Sequence, residues 1–322
     1  MNILVTGGLG LIGHNVVRKL EEQGHTVVVY DNMTNYGIIP QEEIDHLIRE
    51  RRKFIKHSEI HENDILQVSM FDWLLPKHNI EAIIHLASFP RQKVVNANPC
   101  WGSTVMSTGL LALLEKAVQH GVRRFTYASS SMVYGDFQDF VTEDAICRPQ
   151  GQYGILKLAG EWLVKDYTRK HGIEHTILRP SAVYGPLDVE DRVISKFLLT
   201  AMRGETLKVN GPNETLDFTY VDDAANGFVA ATLSDKAANG TYNITKSHSK
   251  TLLSAAELAV KLAGRGSIEV RDKDADFPSR GALDITRARN DFGFDPKVDV
   301  DEGFQIYYDW LKNDPYFGVD KR

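Results

Sequence analysis

A tyrosine and a lysine on one predicted helix carry the clearest potential for chemistry in this sequence. Tyr153 and Lys157 are four residues apart, so on a helix they lie one turn apart on the same face. A free phenol has a pKa of about 10, and a neighbouring ammonium group favours the phenolate. Tyr153 is therefore a candidate general base, with an ordinary pair on a helix surface as the alternative.

A serine cluster precedes this helix in the chain. Ser129, Ser130 and Ser131 directly follow a predicted strand at 124–128. Hydroxyl groups at the carboxyl end of a strand can hydrogen-bond a substrate oxygen in the binding crevice of an α/β sheet. A tight turn built from small residues is the alternative.

The amino-terminal segment carries a glycine pattern typical of dinucleotide binding. Gly7, Gly10 and Gly13 stand between a short apolar strand and an amphipathic helix that begins at Leu11, and Gly8 adds an overlapping GxGxxG pattern. Glycine allows the tight turn and the close approach of backbone to a pyrophosphate, and a helix N-terminus favours the anionic phosphates. A turn that uses glycine for its geometry alone is the alternative.

Asp31 ends the second predicted strand, where its carboxylate can accept hydrogen bonds from an adenosine ribose. Residues 32–39 contain no Arg or Lys, so a 2′-phosphate would meet Asp31 without a compensating cation. The sequence therefore predicts NAD(H) rather than NADP(H) as the cofactor. A carboxylate that caps a turn is the alternative role for Asp31.

Strand and helix signals alternate through about residue 180. This alternation predicts an α/β fold with a doubly wound parallel sheet, the Rossmann architecture, over residues 1–180. Residues 181–322 are richer in Pro and Gly, which predicts a smaller α/β substrate lobe, with one later strand near 241–245 returning to the sheet. The predicted strands are 3–5, 26–30, 53–56, 82–86, 124–128 and 175–178, and the predicted helices are 11–23, 41–52, 65–78, 104–120 and 152–171.

Composition argues against several classes of protein. The chain has 322 residues, is 43% hydrophobic and carries a formal net charge of −6, so it has no excess of cations for nucleic acid or an anionic membrane. The basic run at 49–56 is predicted to be a solvated helix end. Cys100 and Cys147 lack CxxC spacing, so neither a disulfide framework nor a metal site is predicted. With no export signal and no membrane span, the sequence predicts a cytoplasmic protein.

Taken together, these motifs resemble the extended short-chain dehydrogenase/reductase family, in particular its NAD-dependent nucleotide-sugar epimerases and dehydratases. The similar segments, in chain order, are TGGLGLIG at 6–13, Asp31, Asp64-Ile65, HLA at 85–87, SSSMVYG at 129–135, YGILK at 153–157, RPSAVYGP at 179–186, LDFTYVDDAA at 216–225 and RGALDITRA at 280–288. They run nearly end to end, and their order and spacing make the resemblance specific.

The resemblance implies roles for further residues around the cofactor. Beside the three glycines, Leu11 and Ile12 would offer backbone N–H groups to the NAD pyrophosphate. Asp64 and Ile65 would contact the adenine. Tyr153 and Lys157 would also contact the cofactor, and Ser130 takes the family's catalytic Ser/Thr position beside them.

The substrate side departs from the family pattern. The family commonly has Asn, Arg and Asn at the positions of Ala182, Leu216 and Met106. Each change removes a polar contact, so we expect Arg280, with Arg91 and Arg192, to pair more of the nucleotide diphosphate. For Arg91 and Arg192, a surface arginine without such a role is the alternative.

The serine segment bears on the type of reaction. Family dehydratases usually carry Thr-Asp-Glu there, whereas this chain has Ser130-Ser131-Met132, and methionine cannot act as an acid or a base. The resemblance therefore implies an isomerase of carbohydrate biosynthesis, which would epimerise a nucleotide-diphosphate sugar at C4 through a transient keto sugar. The alternatives are a dehydratase, a decarboxylase of a uronic acid, a keto-sugar reductase and a non-catalytic NAD-binding regulator.

Apolar faces on two predicted helices, 104–120 and 152–171, exceed what one sheet face needs to bury. Together with the resemblance, they predict a homodimer whose interface is a four-helix bundle. The apolar residues in question are Leu110, Leu111, Leu114, Leu158, Trp162 and Leu163.

Overall fold

Strands and helices alternate along the computed structural model, which describes residues 1–274 and 277–318. The strands are β1 (Asn2–Thr6), β2 (Thr26–Asp31), β3 (Glu59–Glu62), β4 (Ala82–His85), β5 (Arg124–Ala128), β6 (Glu174–Arg179), β7 (Val183–Tyr184), β8 (Thr206–Asn210), β9 (Thr215–Asp217), β10 (Thr219–Tyr220), β11 (Gly240–Asn243), β12 (Ser249–Thr251) and β13 (Ser267–Arg271). The α-helices are α1 (Leu11–Glu22), α2 (Gln41–Arg52), α3 (Ser69–Lys77), α4 (Gln92–Ala97), α5 (Pro99–Ser103), α6 (Leu110–Gln119), α7 (Gly151–His171), α8 (Val193–Met202), α9 (Val221–Leu233), α10 (Leu252–Ala263), α11 (Thr286–Phe292) and α12 (Val300–Asn313).

Seven parallel strands form the central sheet in the order β11-β6-β5-β4-β1-β2-β3. The winding reverses at β1, because β2 and β3 add on one side of it and β4, β5, β6 and β11 on the other. A doubly wound sheet opens its ligand crevice at this switch point, beyond the carboxyl ends of β1 and β4. The predicted Rossmann fold is confirmed.

Alternate side chains of the central strands enter two different hydrophobic cores. Leu4 and Ile83 pack with side chains of α3, α6 and α7, whereas Ile3 and Ile84 pack with those of α1 and α9. A parallel sheet is covered on both faces, so its central strands are apolar throughout. This explains why short continuous apolar runs predicted these strands correctly.

The predicted third strand at 53–56 is wrong, and the strand forms at Glu59–Glu62 instead. The Glu21 carboxylate accepts hydrogen bonds from the backbone N–H groups of Lys56, His57 and Ser58 at 2.8–2.9 Å, which holds this segment in a turn. Strand β3 pairs only with β2 and is the sheet's edge. Its polar sequence EIHE suits an edge strand and carries no apolar signal.

Two of the predicted helices differ from the structure in extent. The helix predicted at 65–78 begins only at Ser69, because Asp64 accepts a hydrogen bond from the Leu66 backbone N–H (2.9 Å) and holds a turn there. The helix predicted at 104–120 begins as a π-helical segment, Thr104–Gly109, that continues into α6. A π-helical turn in a helix frequently marks a functional site.

Much of the chain after residue 180 forms a second lobe around a third hydrophobic core, to which α8, α10 and α12 contribute. Strand β8 pairs with β13, and β9 pairs with β12. The strand expected near 241–245 forms as β11 beside β6, and α9 also returns to pack against α1. The division of the chain at residue 180 stays a prediction. Among the described residues, no helix is long and apolar enough to cross a membrane.

Candidate active site

The glycine-rich turn between β1 and α1 leaves no room for a side chain at Gly7 or Gly13. Gly7 has φ +71°, and a Cβ atom there would come within 2.7 Å of the Ala87 backbone nitrogen. A Cβ atom on Gly13 would stand 2.1 Å from the Gly7 carbonyl oxygen. Gly7 therefore provides the positive φ, and Gly13 lets α1 approach the turn closely.

A cavity of about 230 Å³ lies over this turn. Nine of the ten predicted cofactor residues line it: Gly7, Gly10, Leu11, Ile12, Gly13, Asp31, Ile65, Tyr153 and Lys157. Asp64 is not among the lining residues, whereas its neighbour Asn63 is. The Asp64 carboxylate instead accepts hydrogen bonds from the Asn32 side-chain amide (2.7 Å) and the Leu66 N–H (2.9 Å). The individual cofactor contacts stay predictions.

Asp31 lies at the end of β2, inside this cavity. Its two carboxylate oxygens accept hydrogen bonds from the backbone N–H groups of Leu9 (2.9 Å) and Met33 (2.8 Å). Burial raises the pKa of Asp31, and these hydrogen bonds oppose the rise. Each oxygen retains a second lone pair. Asp31 can therefore cap the turn and still accept hydrogen bonds from a ribose.

Arg51 is a cavity residue that the sequence analysis missed. It belongs to the basic run that was predicted to be solvated, and for Arg51 this prediction is wrong, because the residue is only 6% exposed. Its guanidinium donates to the carbonyl oxygens of Leu9 (2.9 Å) and Leu187 (2.6 Å). Arg51 thus ties the glycine-rich turn to the segment after β7. Nothing in the sequence distinguishes it from its exposed neighbours.

Helix α7 and the end of β5 bring Ser130, Tyr153 and Lys157 together. Ser130 lines the second cavity beside Tyr153, and its hydroxyl is close enough to lower the pKa of the phenol. The Lys157 ammonium nitrogen donates to the Ala128 carbonyl oxygen (2.7 Å) and lies 5.8 Å from the centroid of the Tyr153 ring. All three residues are less than a tenth exposed. The phenol, the hydroxyl and the amine therefore lie close together. This is the arrangement that a general base, its hydrogen-bond partner and a stabilising cation require.

In the protein without cofactor, burial has a larger effect on the pKa of Tyr153 than Lys157 has, and the lowering expected from Lys157 together with the nicotinamide stays a prediction. Burial raises the pKa of Tyr153, and the neighbouring Ser130 hydroxyl and the charges of Arg192 and Arg280 oppose this rise. Burial also lowers the pKa of Lys157 to about 7, so near neutral pH its charge is only partly present. Desolvation therefore outweighs the proximity that the helical spacing suggested.

A buried ion pair stands behind the catalytic candidates. The Arg179 guanidinium contacts both Glu161 carboxylate oxygens at 2.8 and 2.6 Å, and Ser129 donates to the same carboxylate at 2.5 Å. Glu161 follows Lys157 by one turn of α7, and its charge raises the pKa of that lysine. The pair thus joins α7 to β5 and β6 beside the site. In the sequence, the one indication of this ion pair is Arg179, the first residue of the RPSAVYGP segment.

A second cavity, of about 530 Å³, adjoins the first and lies toward the second lobe. Ser130, Arg91, Arg192 and Arg280 line it, and Tyr153 lines both cavities. Burial lowers the pKa of Arg280 to about 10, and its buried Nε has no hydrogen-bond partner among the described residues. A buried guanidinium with an unused donor suits an anionic ligand. The substrate role of these arginines stays a prediction.

Arg91 and Arg192 are held in place by their neighbours. Arg91 pairs with the Asp191 carboxylate at 2.9 Å, and its side chain is 15% exposed. Arg192 donates to the Val183 carbonyl oxygen at 3.2 Å and lies 3.6 Å from the Asp188 carboxylate. Both arginines line both cavities, so they are not ordinary surface residues.

The three departures from the family pattern fall in two environments. Ala182 and Leu216 line the second cavity, whereas Met106 is buried in a hydrophobic core. Ala182 has φ +36°, in a region that Asn adopts more readily than Ala. The change from Asn to Ala therefore removes a polar contact and also gives up a residue suited to this backbone conformation.

Comparison with known proteins agrees with this geometry. A model of the NAD dependent epimerase/dehydratase family matches residues 3–245. A UDP-glucuronic acid decarboxylase of Arabidopsis thaliana is 31% identical over 320 residues, which cover 95% of this chain and 88% of the plant protein. Two solved structures align with 97% of this chain, and the alignment covers 99% of each of them. They are the UDP-glucuronic acid 4-epimerase of Bacillus cereus with UDP-glucuronic acid and NAD (26% identical, TM-score 0.89) and the UDP-glucose 4-epimerase of Thermotoga maritima with UDP-glucose (28% identical, TM-score 0.85).

The fold and the site define a Rossmann enzyme of the short-chain dehydrogenase/reductase type. The chain belongs to the NAD dependent epimerase/dehydratase family. The predictions of this family, of NAD as cofactor and of an enzyme rather than a regulator are confirmed. The first cavity fits that cofactor, because the glycine-rich turn brings backbone to its surface at Gly7, Gly10 and Gly13, and Asp31 lines it with carboxylate lone pairs to spare.

Proposed function

We propose that this chain is a nucleotide-sugar 4-epimerase that acts on a UDP-hexose or a UDP-hexuronic acid. The observation that carries the proposal is the convergence of Tyr153, Ser130 and Lys157 where the two cavities meet. The 4-epimerases with UDP-glucose and UDP-glucuronic acid, to which this chain is similar over nearly its whole length, support the nucleotide and the reaction.

In this proposal the residues act on the hydroxyl at C4 of the sugar. Tyr153 as phenolate takes the proton from this hydroxyl, while Ser130 hydrogen-bonds the same oxygen. Bound NAD supplies a reversible acceptor for the hydride of the sugar carbon. Lys157, when charged, stabilises the phenolate, and the proton returns from Tyr153 to the sugar oxygen when the keto sugar is reduced on its other face.

Epimerisation also requires that the sugar turn over while its diphosphate stays in place. Arg280, with its unused Nε donor, and the neighbouring Arg192 supply the fixed anchor at the second cavity. Ala182 and Leu216 leave that cavity with fewer polar contacts for the sugar itself. Because Ser131 and Met132 stand where a dehydratase has its catalytic acid and base, the site lacks the pair of groups that would expel water from the keto sugar.

Decarboxylation of a UDP-hexuronic acid is the second candidate. Arg192 and Arg280 line the second cavity together with Tyr153, and their charges lower the pKa of Tyr153, so either guanidinium could pair a sugar carboxylate there. Oxidation at C4 would turn such a substrate into a β-keto acid, which can lose its carboxyl group as CO₂. The similar plant decarboxylase supports this candidate.

Product analysis separates these reactions. The purified chain with NAD is incubated with UDP-glucose and, in a second series, with UDP-glucuronic acid, and the sugars are followed by proton NMR. We expect the C4 epimer of one substrate, with no net reduction of NAD. A UDP-pentose with release of CO₂ would establish the decarboxylase instead. A stable 4-keto-6-deoxy sugar would contradict both proposals.

We also propose that the protein is a homodimer. Leu111 on α6 and Ile155 and Trp162 on α7 are 36%, 51% and 66% exposed, so an apolar strip remains on these two helices. Leu110 and Leu114 are fully buried in the protomer's own core and do not contribute to this argument. Light scattering should give twice the protomer mass at micromolar concentration, and Trp162→Lys should shift the mass toward the monomer. A monomeric parent protein would refute the proposal.

For the location we propose the cytoplasm. Cys100 and Cys147 are both free thiols, which suits a reducing compartment. Fractionation of the native host, with the chain followed by immunodetection, tests this proposal.

A further inference from the structure

Two histidines and a glutamate meet at the edge of the sheet, outside both cavities. Glu59 and His61 lie on the edge strand β3, and His78 directly follows the last residue of α3. The Nε2 atom of His61 is 3.0 Å from one Glu59 carboxylate oxygen, and that of His78 is 3.6 Å from the other. The potential ligand atoms of all three side chains lie within 4.8 Å of one another.

Both imidazole groups present an unused nitrogen to this cluster. The Nε2 atoms of His61 and His78 are buried, and neither has a well-aligned hydrogen-bond partner among the described residues. A buried polar atom without a hydrogen bond is costly, and it calls for an explanation such as a missing ion. Here two such atoms face the same carboxylate.

We propose that Glu59, His61 and His78 bind one divalent transition-metal ion, for which Zn²⁺ is the best match. Two imidazole nitrogens and a carboxylate oxygen form a ligand set that zinc accepts, with water in the fourth position. Bond lengths of about 2.0–2.2 Å place neighbouring ligands of a tetrahedral zinc roughly 3.4 Å apart. The observed separations of 3.0 and 3.6 Å bracket this value.

The site would stabilise a particular part of the fold. Strand β3 pairs on one side only, and α3 reaches the same edge at His78. A metal ion would therefore clip the end of α3 to the edge strand. None of the three ligands lines either cavity, so the ion would have no part in the sugar chemistry. The sequence analysis predicted no metal site, because residues 59, 61 and 78 form no recognised short metal motif.

Lys77 competes with the proposed ion for Glu59. Its ammonium nitrogen lies 2.9 Å from a Glu59 oxygen and 4.3 Å from the centroid of the Trp73 ring. The side chains of Lys77 and Glu59 are 40% and 47% exposed, so both can turn toward solvent. A metal ion must displace this cation, and removal of the cation should therefore tighten metal binding.

Calorimetric titration of the whole chain with ZnCl₂ tests the proposal. The protein carries no polyhistidine tag and is first treated with a chelator and dialysed. We expect one Zn²⁺ per chain and a rise in Tm of a few degrees in excess Zn²⁺. His61→Gln and His78→Gln should each weaken binding at least about tenfold, which is the loss of roughly 1.4 kcal/mol. Lys77→Gln should bind Zn²⁺ more tightly than the parent.

His120→Gln is the matched control. His120 also pairs with a carboxylate, Asp72 at 3.0 Å, but has no second imidazole within its cluster, so its loss should leave Zn²⁺ affinity unchanged. Trp73 reports on the location, because its ring lies 5.6 Å from that of His61 and 6.4 Å from that of His78. Ni²⁺ should quench tryptophan fluorescence in the parent but much less in Trp73→Phe.

Three outcomes would overturn the proposal. They are an absence of Zn²⁺ binding in the parent chain, an equal loss of affinity in His120→Gln and His61→Gln, and a weaker affinity in Lys77→Gln. The Lys77 variant keeps the test decisive even if a histidine variant folds poorly, because it is expected to gain affinity rather than to lose it.

Discussion

The two cavities that meet at Tyr153 are built in different ways. The cofactor cavity includes the glycine-rich turn, where Gly7 and Gly13 leave no space for a Cβ atom. The substrate cavity is lined by three arginines, Arg91, Arg192 and Arg280, of which the first two also reach the cofactor cavity, and the buried Nε of Arg280 has no hydrogen-bond partner among the described residues. Close backbone packing thus fixes the glycine-rich turn of the first cavity. The second cavity depends on the positions of long arginine side chains.

This difference decides which site residues a sequence can reveal. A glycine that a turn requires is dictated by its own φ and by close backbone neighbours, so the requirement appears as a fixed spacing. An arginine is tolerated at many exposed positions, and its use depends on partners distant in the chain. Arg51 and Arg49 belong to one basic run, yet Arg51 is buried against Leu9 and Leu187.

The largest expected effect lies where the two cavities meet. Tyr153→Phe removes the general base, so turnover should fall by roughly 10²- to 10⁴-fold while bound NAD is retained. NMR rates on the substrate, together with the NAD content of the purified variant, check both parts. Tyr167→Phe is the control, because Tyr167 lies on the same helix but lines neither cavity. Wild-type turnover in Tyr153→Phe would contradict the proposed mechanism.

The fold could be predicted further than the site. The central strands are apolar on both faces and alternate regularly with helices, so the ranges of six of the seven strands were predicted correctly. Strand β3 was not, because an edge strand needs little apolar sequence and its turn is held by Glu21, far away in the chain. The convergence of Tyr153 and Lys157 was visible from helical spacing, but their pKa values were not. Those depend on desolvation by residues from the whole fold.

Gly13→Ala would disturb the glycine-rich turn of the cofactor cavity. The new Cβ atom would stand 2.1 Å from the Gly7 carbonyl oxygen, so α1 must move away from the turn. We expect NAD binding to weaken by about 10²-fold or more, with a cost in stability of roughly 1–3 kcal/mol from overpacking. Fluorescence titration with NADH and urea unfolding measure the two effects.

The matched control is Gly24→Ala. A Cβ atom on Gly24 has no neighbour within 4 Å, although its φ of +78° is unfavourable for alanine. This variant should lose some stability and keep its affinity for NAD. If both variants bound NADH equally well, close packing at Gly13 would not be what shapes the cofactor cavity.

Arg280→Met would test the side-chain wall of the substrate cavity. A charge-assisted hydrogen bond contributes about 1.5–3 kcal/mol, so KM for the nucleotide sugar should rise by roughly 10- to 100-fold, with NAD affinity unchanged. Steady-state kinetics measure this effect. Arg203→Met is the control, because Arg203 is held by both oxygens of Glu190 (2.6 and 3.0 Å) and lines neither cavity. An unchanged KM in Arg280→Met would remove Arg280 from the substrate site.

The smallest expected effect concerns the choice between NADH and NADPH, which depends on the Asp31 carboxylate in the cofactor cavity. Asp31 faces the cavity, and the terminal nitrogens of Arg51 and Arg52 are engaged with two carbonyl groups and with Glu62, although the buried Arg51 Nε has no hydrogen-bond partner among the described residues. A 2′-phosphate would be repelled by the Asp31 carboxylate, and the parent should therefore bind NADH more tightly than NADPH. Asp31→Asn removes the charge but leaves the shape, so the preference should fall by about tenfold, or roughly 1.4 kcal/mol. Asp222→Asn, which alters a carboxylate outside both cavities, should keep the preference, and equal affinity of the parent for both cofactors would show that Asp31 does not select between them.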